Sequence, residues 1–335
     1  MGTVIDTTPN SVIIDDGTGK IEVFFGEEKN VRHGQFIRVI TRILPLIDGF
    51  ECRGEAIQIL DGFNLDLYKK ARKLIKNFWG GMMFKAVTKE PKLLKDSIDI
   101  ISQLIDDGLF NFRKNGIELS AADRTMVSFI DFKLKSSAFE KYVCDKDVNV
   151  GVNLLNFLTV LKRANIDDKL TLSLDEKENK LEILLEGNSV RRFALPLLQI
   201  SKRETPDVDQ LLKKFSADAE VSSSILEQGI NDADIIADSV IIELSPDKLR
   251  MYAEGNSSKS ELKLFKGTDT LTKLNSKEIV SARYSLDYLK KMIKGSRISD
   301  KVKMMLGEDF PLRLVFENDN TFLGLILAPR VAESE

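Results

Sequence analysis

Two stretches of the chain set out the same pattern twice, about 130 residues apart. DGLFNFRKNGIELSAAD, starting at Asp107, is echoed by DSVIIELSPDKLRMYAEG, starting at Asp238. DKLTLSLDEKENKLEILLEG, starting at Asp168, is echoed by DKVKMMLGEDFPLRLVFEND, starting at Asp300. Solenoids repeat with periods of about 20–50 residues; two copies of a much longer unit imply two pseudo-equivalent lobes in one chain. The first copy, 83–198, opens on the strand MFKAV. A helix is predicted over 92–107, with Leu93, Leu94, Ile98, Ile101, Leu104 and Ile105 on one face. LFNFR and IELSA flank an Asn115-Gly116 turn, a hairpin signal. MVSFIDFKL alternates, a second helix is predicted over 153–164, and KLTLSLD with NKLEILLEG makes another hairpin. The second copy, 214–335, places its helices at about 222–233 and 285–295. Between the copies, 199–213 (QISKRETPDVDQLLK) is charged at both ends and has no apolar periodicity before Leu211. It reads as the connector.

Ahead of the repeat the pattern changes. Residues 2–60 read as five short strands, GTVIDTT, SVIID, KIEVFF, QFIRVITRIL and FECRGEAIQIL, separated by turn-rich PN, DDGTG, RHG and LIDG. Five strands in so short a span suit a small closed barrel. A helix is predicted from an Asn64 N-cap over 65–79, with Leu67, Tyr68, Ala71, Leu74, Ile75, Phe78 and Trp79 on its apolar side. Its other face is basic: Lys69, Lys70, Arg72, Lys73 and Lys76. Gly80-Gly81 would end it, and Met82-Met83 restarts the chain, so 80–82 reads as a junction, natural or engineered.

Several functions are excluded by what the chain lacks. Its only histidine is His33 and its two cysteines, Cys52 and Cys144, are far apart, which argues against His/Cys metal sites, His-based triads and a disulfide framework. No phosphate-binding loop or dinucleotide fingerprint occurs. Asp-Asp pairs at 15–16, 106–107 and 167–168 sit beside turns or helix ends, where Asp is expected anyway. A nuclease with carboxylate-bound Mg²⁺ would need acidic groups converging at fixed spacing, and no such cluster is apparent. Neither a cofactor nor a metal is expected. No run has the roughly 18–20 apolar residues of a membrane span, and MGTVIDTTPN has no signal-peptide pattern. Thiol usage suggests a reducing, intracellular setting. The net charge is −3, so a nucleic-acid role needs a local basic surface on an acidic protein.

The N-terminal unit, 1–79, resembles an oligonucleotide-binding (OB) fold, in particular the middle-subunit OB domain of replication protein A, on the strand–DDGTG–strand hairpin and the trailing helix. That resemblance implies single-stranded DNA binding through Phe25, Arg32, Phe36, Arg38, Arg42 and Arg53, or else docking to a replication-protein subunit. From Met83 onward the chain resembles the DNA sliding clamps of the proliferating cell nuclear antigen family, most closely the archaeal form. MMFKAV, FRKNGIELSAADRTMVSFIDFKL, VNVGVNLLNFLTVLKRA, RRFALPLLQI, FPLRLVFEND and LILAPRV carry the match.

The resemblance implies a non-enzymatic α+β clamp of two lobes, assembled as a homo- or heterotrimeric ring. Helices would line the hole and a continuous sheet would form the outside. Such a ring encircles duplex DNA, is placed by a clamp loader, and tethers polymerase and other replication or repair clients in a cytoplasmic, nucleoid-associated setting. Lining residues would be Lys92, Lys95, Lys162, Arg163, Lys291 and Lys294. The helix near 222–233, SSSILEQGINDAD, lacks cations where relatives carry them. Clients with a one-turn helix bearing apolar and aromatic anchors would enter a pocket of Met126, Val127, Phe129, Arg203, Thr205, Pro206, Pro311, Leu327, Ala328 and Pro329. Arg203 and Thr205 depart from the apolar residues common there. Subunits would join through 188–193 and 258–265.

Overall fold

The computed structural model describes residues 1–335 apart from 18, 47–48, 61, 63, 65–66, 68–69, 71–83, 176–177, 202–207 and 331–335. It divides into two compact units, Met1–Gly81 and Met82–Glu335.

The first unit contains a closed five-stranded barrel of Gly2–Thr7, Ser11–Asp15, Lys20–Phe24, Phe36–Leu46 and Gly49–Ile59. Gly17 takes φ 86° in the second hairpin, between Ser11–Asp15 and Lys20–Phe24, and the Asp15 and Asp16 carboxylates accept the Gly17 and Gly19 amides at 2.8 and 3.3 Å. The DDGTG stretch therefore turns for a local reason: short carboxylates bond the backbone and glycine supplies the left-handed residue. Val4, Val12, Ile14, Val23, Phe25, Ile37 and Cys52 fill the barrel. A Cβ on Gly54 would stand 2.0 Å from the Phe25 ring, so glycine is required where that ring crosses the strand. Of the helix expected over 65–79, only Leu67 and Lys70 are described, both helical, and Asn64 accepts the Leu67 amide at 2.9 Å as an N-cap does. The rest of that helix and the junction lie outside the described residues.

The second unit repeats one lobe twice. A five-stranded sheet runs Lys141–Cys144, Phe84–Thr88, Lys169–Asp175, Lys180–Glu186, Val190–Pro196. A four-stranded sheet runs Lys259–Phe265, Lys248–Glu254, Ser239–Leu244, Val280–Ser285. Between them lies a nine-stranded sheet that joins the lobes. Its first four strands, Val148–Asn153, Asp107–Arg113, Gly116–Ala122 and Ser128–Lys135, come from lobe 1. The other five, Thr321–Leu327, Leu312–Glu317, Lys301–Leu306, Ala217–Ser222 and Leu271–Asn275, come from lobe 2. The lobes meet where Ser128–Lys135 pairs antiparallel with Thr321–Leu327, Leu323 opposite Phe132. Gly116, at φ 147°, fits the tight first-lobe hairpin, because a Cβ there would stand 2.2 Å from the Leu134 carbonyl.

Besides a short connector helix, Val208–Leu212, the described residues form four helices that pack on these sheets: α1 (Pro91–Ile101), α2 (Leu154–Leu161), α3 (Ser223–Asp234) and α4 (Leu286–Met292), the last continued by a 3₁₀ turn, Ile293–Arg297. The first is shorter than the predicted 92–107. Leu104 and Ile105 are buried and keep the apolar period, but the chain has already left the helix to enter the strand at Asp107. Asn153 caps α2, accepting the Asn156 amide at 3.0 Å. One apolar core runs through both lobes, from Phe84 and Ile98 to Leu226, Leu289 and Leu325.

Candidate functional site

The helices form one connected layer, α1 against α2, α3 against α4, and α1 against the 3₁₀ turn. Their apolar residues are spent on the sheets, so the polar side chains of this layer are left together. Asp99 on α1 receives Lys162 at 3.1 Å and Arg297 at 2.6 Å. Burial alone would raise the Asp99 carboxyl, but the hydrogen bonds from Arg297 and Lys162 hold it below the ordinary carboxylate value. Lys294 donates to Gln103 Oε1 at 2.6 Å, and Lys291 Nζ lies 5.3 Å from the Tyr288 ring centroid. Lys162 and Lys294 therefore tie helices together as well as supplying charge. Lys92 and Lys95 have no polar partner among the described residues, and both border a cavity of about 600 Å³ with Leu93, Ile166 and Asn320. Arg163 is exposed, and its carbonyl accepts Arg191 Nη1 at 2.8 Å.

Arg297 is absent from the sequence-based set although it belongs with it. The signal is the spacing of Lys294 and Arg297, three residues apart in the 3₁₀ turn, where such a step eclipses side chains and puts both cations on one side; Lys291 precedes them in the last turn of α4. The first helix of lobe 2 brings no cation. Two of its acidic residues are used locally, Asp234 by Lys290 at 2.8 Å and Glu227 by Ser296 at 3.1 Å.

At the lobe seam a second group gathers. The Ala328 amide donates to the Val127 carbonyl at 2.9 Å, which seats the C-terminal segment beside Met126. Pro311 precedes Leu312, the residue paired with Leu327. Met126 is 58% exposed and takes φ 59°, a left-handed conformation that costs a non-glycine residue roughly 1–2 kcal/mol. Val127, Pro311, Ala328 and Pro329 are half-buried. Phe129 and Leu327 are buried core residues, paired with Ile326 and Ser128 in the seam. Arg203, Thr205 and Pro206 lie outside the described residues.

In the barrel, Phe25 is likewise core. Val23 is buried, and the two-residue strand period carries Phe25 to the same side and Phe24 to the outside. Phe24 stands opposite Arg53, and Arg53 opposite Arg42, giving one outward row across three strands. Arg53 pairs with Glu51 at 2.7 Å and Arg42 with Glu55 at 2.8 Å. Phe36 is half-buried, while Arg32 and Arg38 are exposed. The long hairpin also exposes Ile43, Leu46 and Phe50, which sequence reasoning did not single out.

Residues 83–204 match the N-terminal domain of proliferating cell nuclear antigen, and 211–331 match its C-terminal domain. A DNA polymerase sliding clamp of Thermococcus sibiricus is 35% identical over 253 residues, 75% of this chain and all of that one. The chain belongs to the proliferating cell nuclear antigen family. A second clamp of this family, from Methanobrevibacter smithii, is 32% identical over 255 residues, 76% of this chain and all of its own. The crystal structure of proliferating cell nuclear antigen from Thermococcus kodakaraensis superposes with TM-score 0.67 at 27% identity, covering 74% of this chain and all of that one. Membership in this family makes the chain a scaffold rather than an enzyme. Among the described residues no group of three or more His, Cys, Asp or Glu is placed to hold a metal ion, and no helix is long and apolar enough to cross a membrane.

Proposed function

We propose that this chain is a DNA polymerase sliding clamp whose helix layer, through Lys92, Lys95, Lys162, Arg163, Lys291, Lys294 and Arg297, faces duplex DNA inside a trimeric ring. Phosphates are held by sequence-independent electrostatics, which lets the clamp move along the duplex. Clients dock at Met126, Val127, Pro311, Ala328 and Pro329. A clamp loader and polymerase are partners in this reading.

The observation that carries the ring is the seam. By register, Leu185, paired with Arg191, matches Phe316, paired with Leu323; Met251, paired with Leu262, matches Leu119, paired with Phe132. The two free edges, Val190–Pro196 and Lys259–Phe265, are thus the counterparts of the two strands that pair inside the chain. Joined in the same register between copies, Arg191 lies opposite Leu262 and Arg192 opposite Glu261. Charges are complementary in that alignment, so the edges of one chain suit each other. Light scattering during size-exclusion chromatography tests this: a mass of three chains is expected, and a monomer at micromolar concentration overturns the ring.

For 1–79, an OB-type module, we favour protein docking over single-stranded DNA. Arg42 and Arg53 are already neutralised by Glu55 and Glu51, while Ile43, Leu46 and Phe50 are left exposed. A replication-protein subunit is the partner class. Titration of the full chain with fluorescent oligo-dT decides: binding weakened by Arg42→Ala with Arg53→Ala returns the module to single-stranded DNA.

A further inference from the structure

The turn that presents Met126 is held from the other lobe. Asp123 is buried, and its two carboxylate oxygens organise the whole turn. Oδ1 accepts the Ser128 amide at 2.7 Å. Oδ2 accepts the Thr125 hydroxyl, the Thr125 amide at 3.3 Å and the Tyr288 hydroxyl at 2.9 Å. Tyr288 and Thr125 hydroxyls are also 3.1 Å apart. The backbone closes the turn, with the Asp123 amide donating to the Ser128 carbonyl at 3.0 Å and the Met126 amide to the Asp123 carbonyl at 3.2 Å. Tyr288 belongs to α4, so a lobe 2 helix that carries a channel-side cation on its ring fixes a lobe 1 turn.

We propose that Tyr288 is a positioning residue for client binding: its hydroxyl, through Asp123 and Thr125, holds the 123–128 turn in the left-handed conformation that turns Met126 outward toward the docked peptide. The inference rests on the client-pocket reading above. A left-handed non-glycine residue persists only where its surroundings over-determine it. Four hydrogen bonds converging on one buried carboxylate provide that restraint, and Tyr288 supplies the only one of them that comes from outside the turn. The ring of Tyr288 can stay while the restraint is removed, because its cation contact with Lys291 needs only the aromatic face.

The test is a double-mutant cycle in the full-length chain. Wild type, Met126→Ala, Tyr288→Phe and the double variant are titrated with a fluorescein-labelled peptide of one helical turn with apolar and aromatic anchors. Loss of a hydrogen bond to a charged group predicts roughly tenfold weaker binding for Tyr288→Phe, with melting temperature little changed. In the Met126→Ala background the same change should have no further effect, since the side chain being positioned is gone; a general loss of structure would add to it instead. Thr125→Val, which removes the second hydroxyl, should weaken binding in the same non-additive way. If Met126→Ala weakens binding and Tyr288→Phe and Thr125→Val do not, or do so additively, the positioning role falls and the pocket stands. If Met126→Ala itself binds like wild type, the pocket reading falls and takes this inference with it.

Discussion

The seam between the lobes and the free edges Val190–Pro196 and Lys259–Phe265 are built on corresponding strands of the repeat, yet they are filled differently. At the seam, Leu323 faces Phe132 and Leu325 faces Ile130, all four fully buried. At the matching edge positions stand Arg191 and Phe193 on one strand and Leu262 and Ser260 on the other. Arg191 is not loose there. Its guanidinium is anchored to the Asp168 carboxylate and the Arg163 carbonyl, with its Nε unpartnered. Burying leucine, isoleucine and phenylalanine makes a dry joint; a hydrogen-bonded arginine set against leucine and a phenylalanine set against serine would make one that water can re-enter. The difference teaches that one fold supplies both a dry, closed lobe junction and, on the corresponding strands, edges that are left more polar.

The largest effect should follow from breaking the seam. Phe132→Ala removes a fully buried ring and is expected to cost about 3–5 kcal/mol. Chemical denaturation reads it; a loss below 1 kcal/mol would mean that the seam is no more tightly built than the edges.

Breaking the edge should act on assembly and leave the fold alone. Arg192→Glu places two acids opposite each other in the inferred register, and roughly tenfold weaker association is expected. Glu261→Arg should do the same, and the two together should restore the assembly. Analytical ultracentrifugation across concentration distinguishes the three. Failure of the double variant to recover would refute the register, though a trimer could still form in another one.

Smaller again is the effect of the channel charges, where the lobes also differ. Lobe 1 places its cations on α1 and just past the end of α2, at Lys162 and Arg163; lobe 2 concentrates them on α4 and its 3₁₀ turn, because α3 has none. Charge reversal at Lys95, Lys162 and Lys294 should lower polymerase processivity with the trimer intact. The salt slope of duplex binding should fall by about 0.9 for each lysine that truly meets a phosphate. Lys95 should account for more of that change than Lys162 or Lys294, which already serve Asp99 and Gln103. Equal shares from the three would show that those internal partners are given up on DNA.

Much of this was legible in the sequence, for identifiable reasons. The repeat and the alternating strands gave the lobes, since burial on one face forces a two-residue period that survives without any knowledge of partners. Cations on amphipathic helices pointed to the polar side of a covered helix layer. Depth within a sheet was not legible. Phe25, Phe129 and Leu327 are buried, and an aromatic or aliphatic side chain on a strand reads alike whether it lies in a core or lines a groove. Likewise Asp99, Tyr288 and Arg297 act through partners far away in sequence, 198 residues in the case of the Arg297–Asp99 pair, and periodicity carries no trace of that. The helix end at Ile101 was missed because buried Leu104 and Ile105 continue the helical spacing after the backbone has turned away.

The smallest expected effect concerns pH, and it again separates the lobes. Glu220, on the Ala217–Ser222 strand, is hydrogen-bonded by Lys273 at 2.9 Å and Thr272 at 2.8 Å, with Lys301 at 3.3 Å. Lys273 and Thr272, the strongest influences, bring its carboxyl from 4.5 down to about 2. The matching position in lobe 1 is Val87: it pairs with Thr171 as Glu220 pairs with Lys303, and it is buried and apolar. A carboxyl whose folded value is depressed stabilises fully above its unfolded value and loses that contribution as pH falls through the folded one. The Glu220 contribution should therefore be complete above about 4.5 and fade between there and about 2. Glu220→Gln should be less stable than wild type at pH 7, and the two should converge near pH 2 in thermal melts at fixed salt. A gap that persists at low pH would assign the difference to packing or to the Thr272 hydrogen bond, and would remove the electrostatic contrast between the two lobes at this strand.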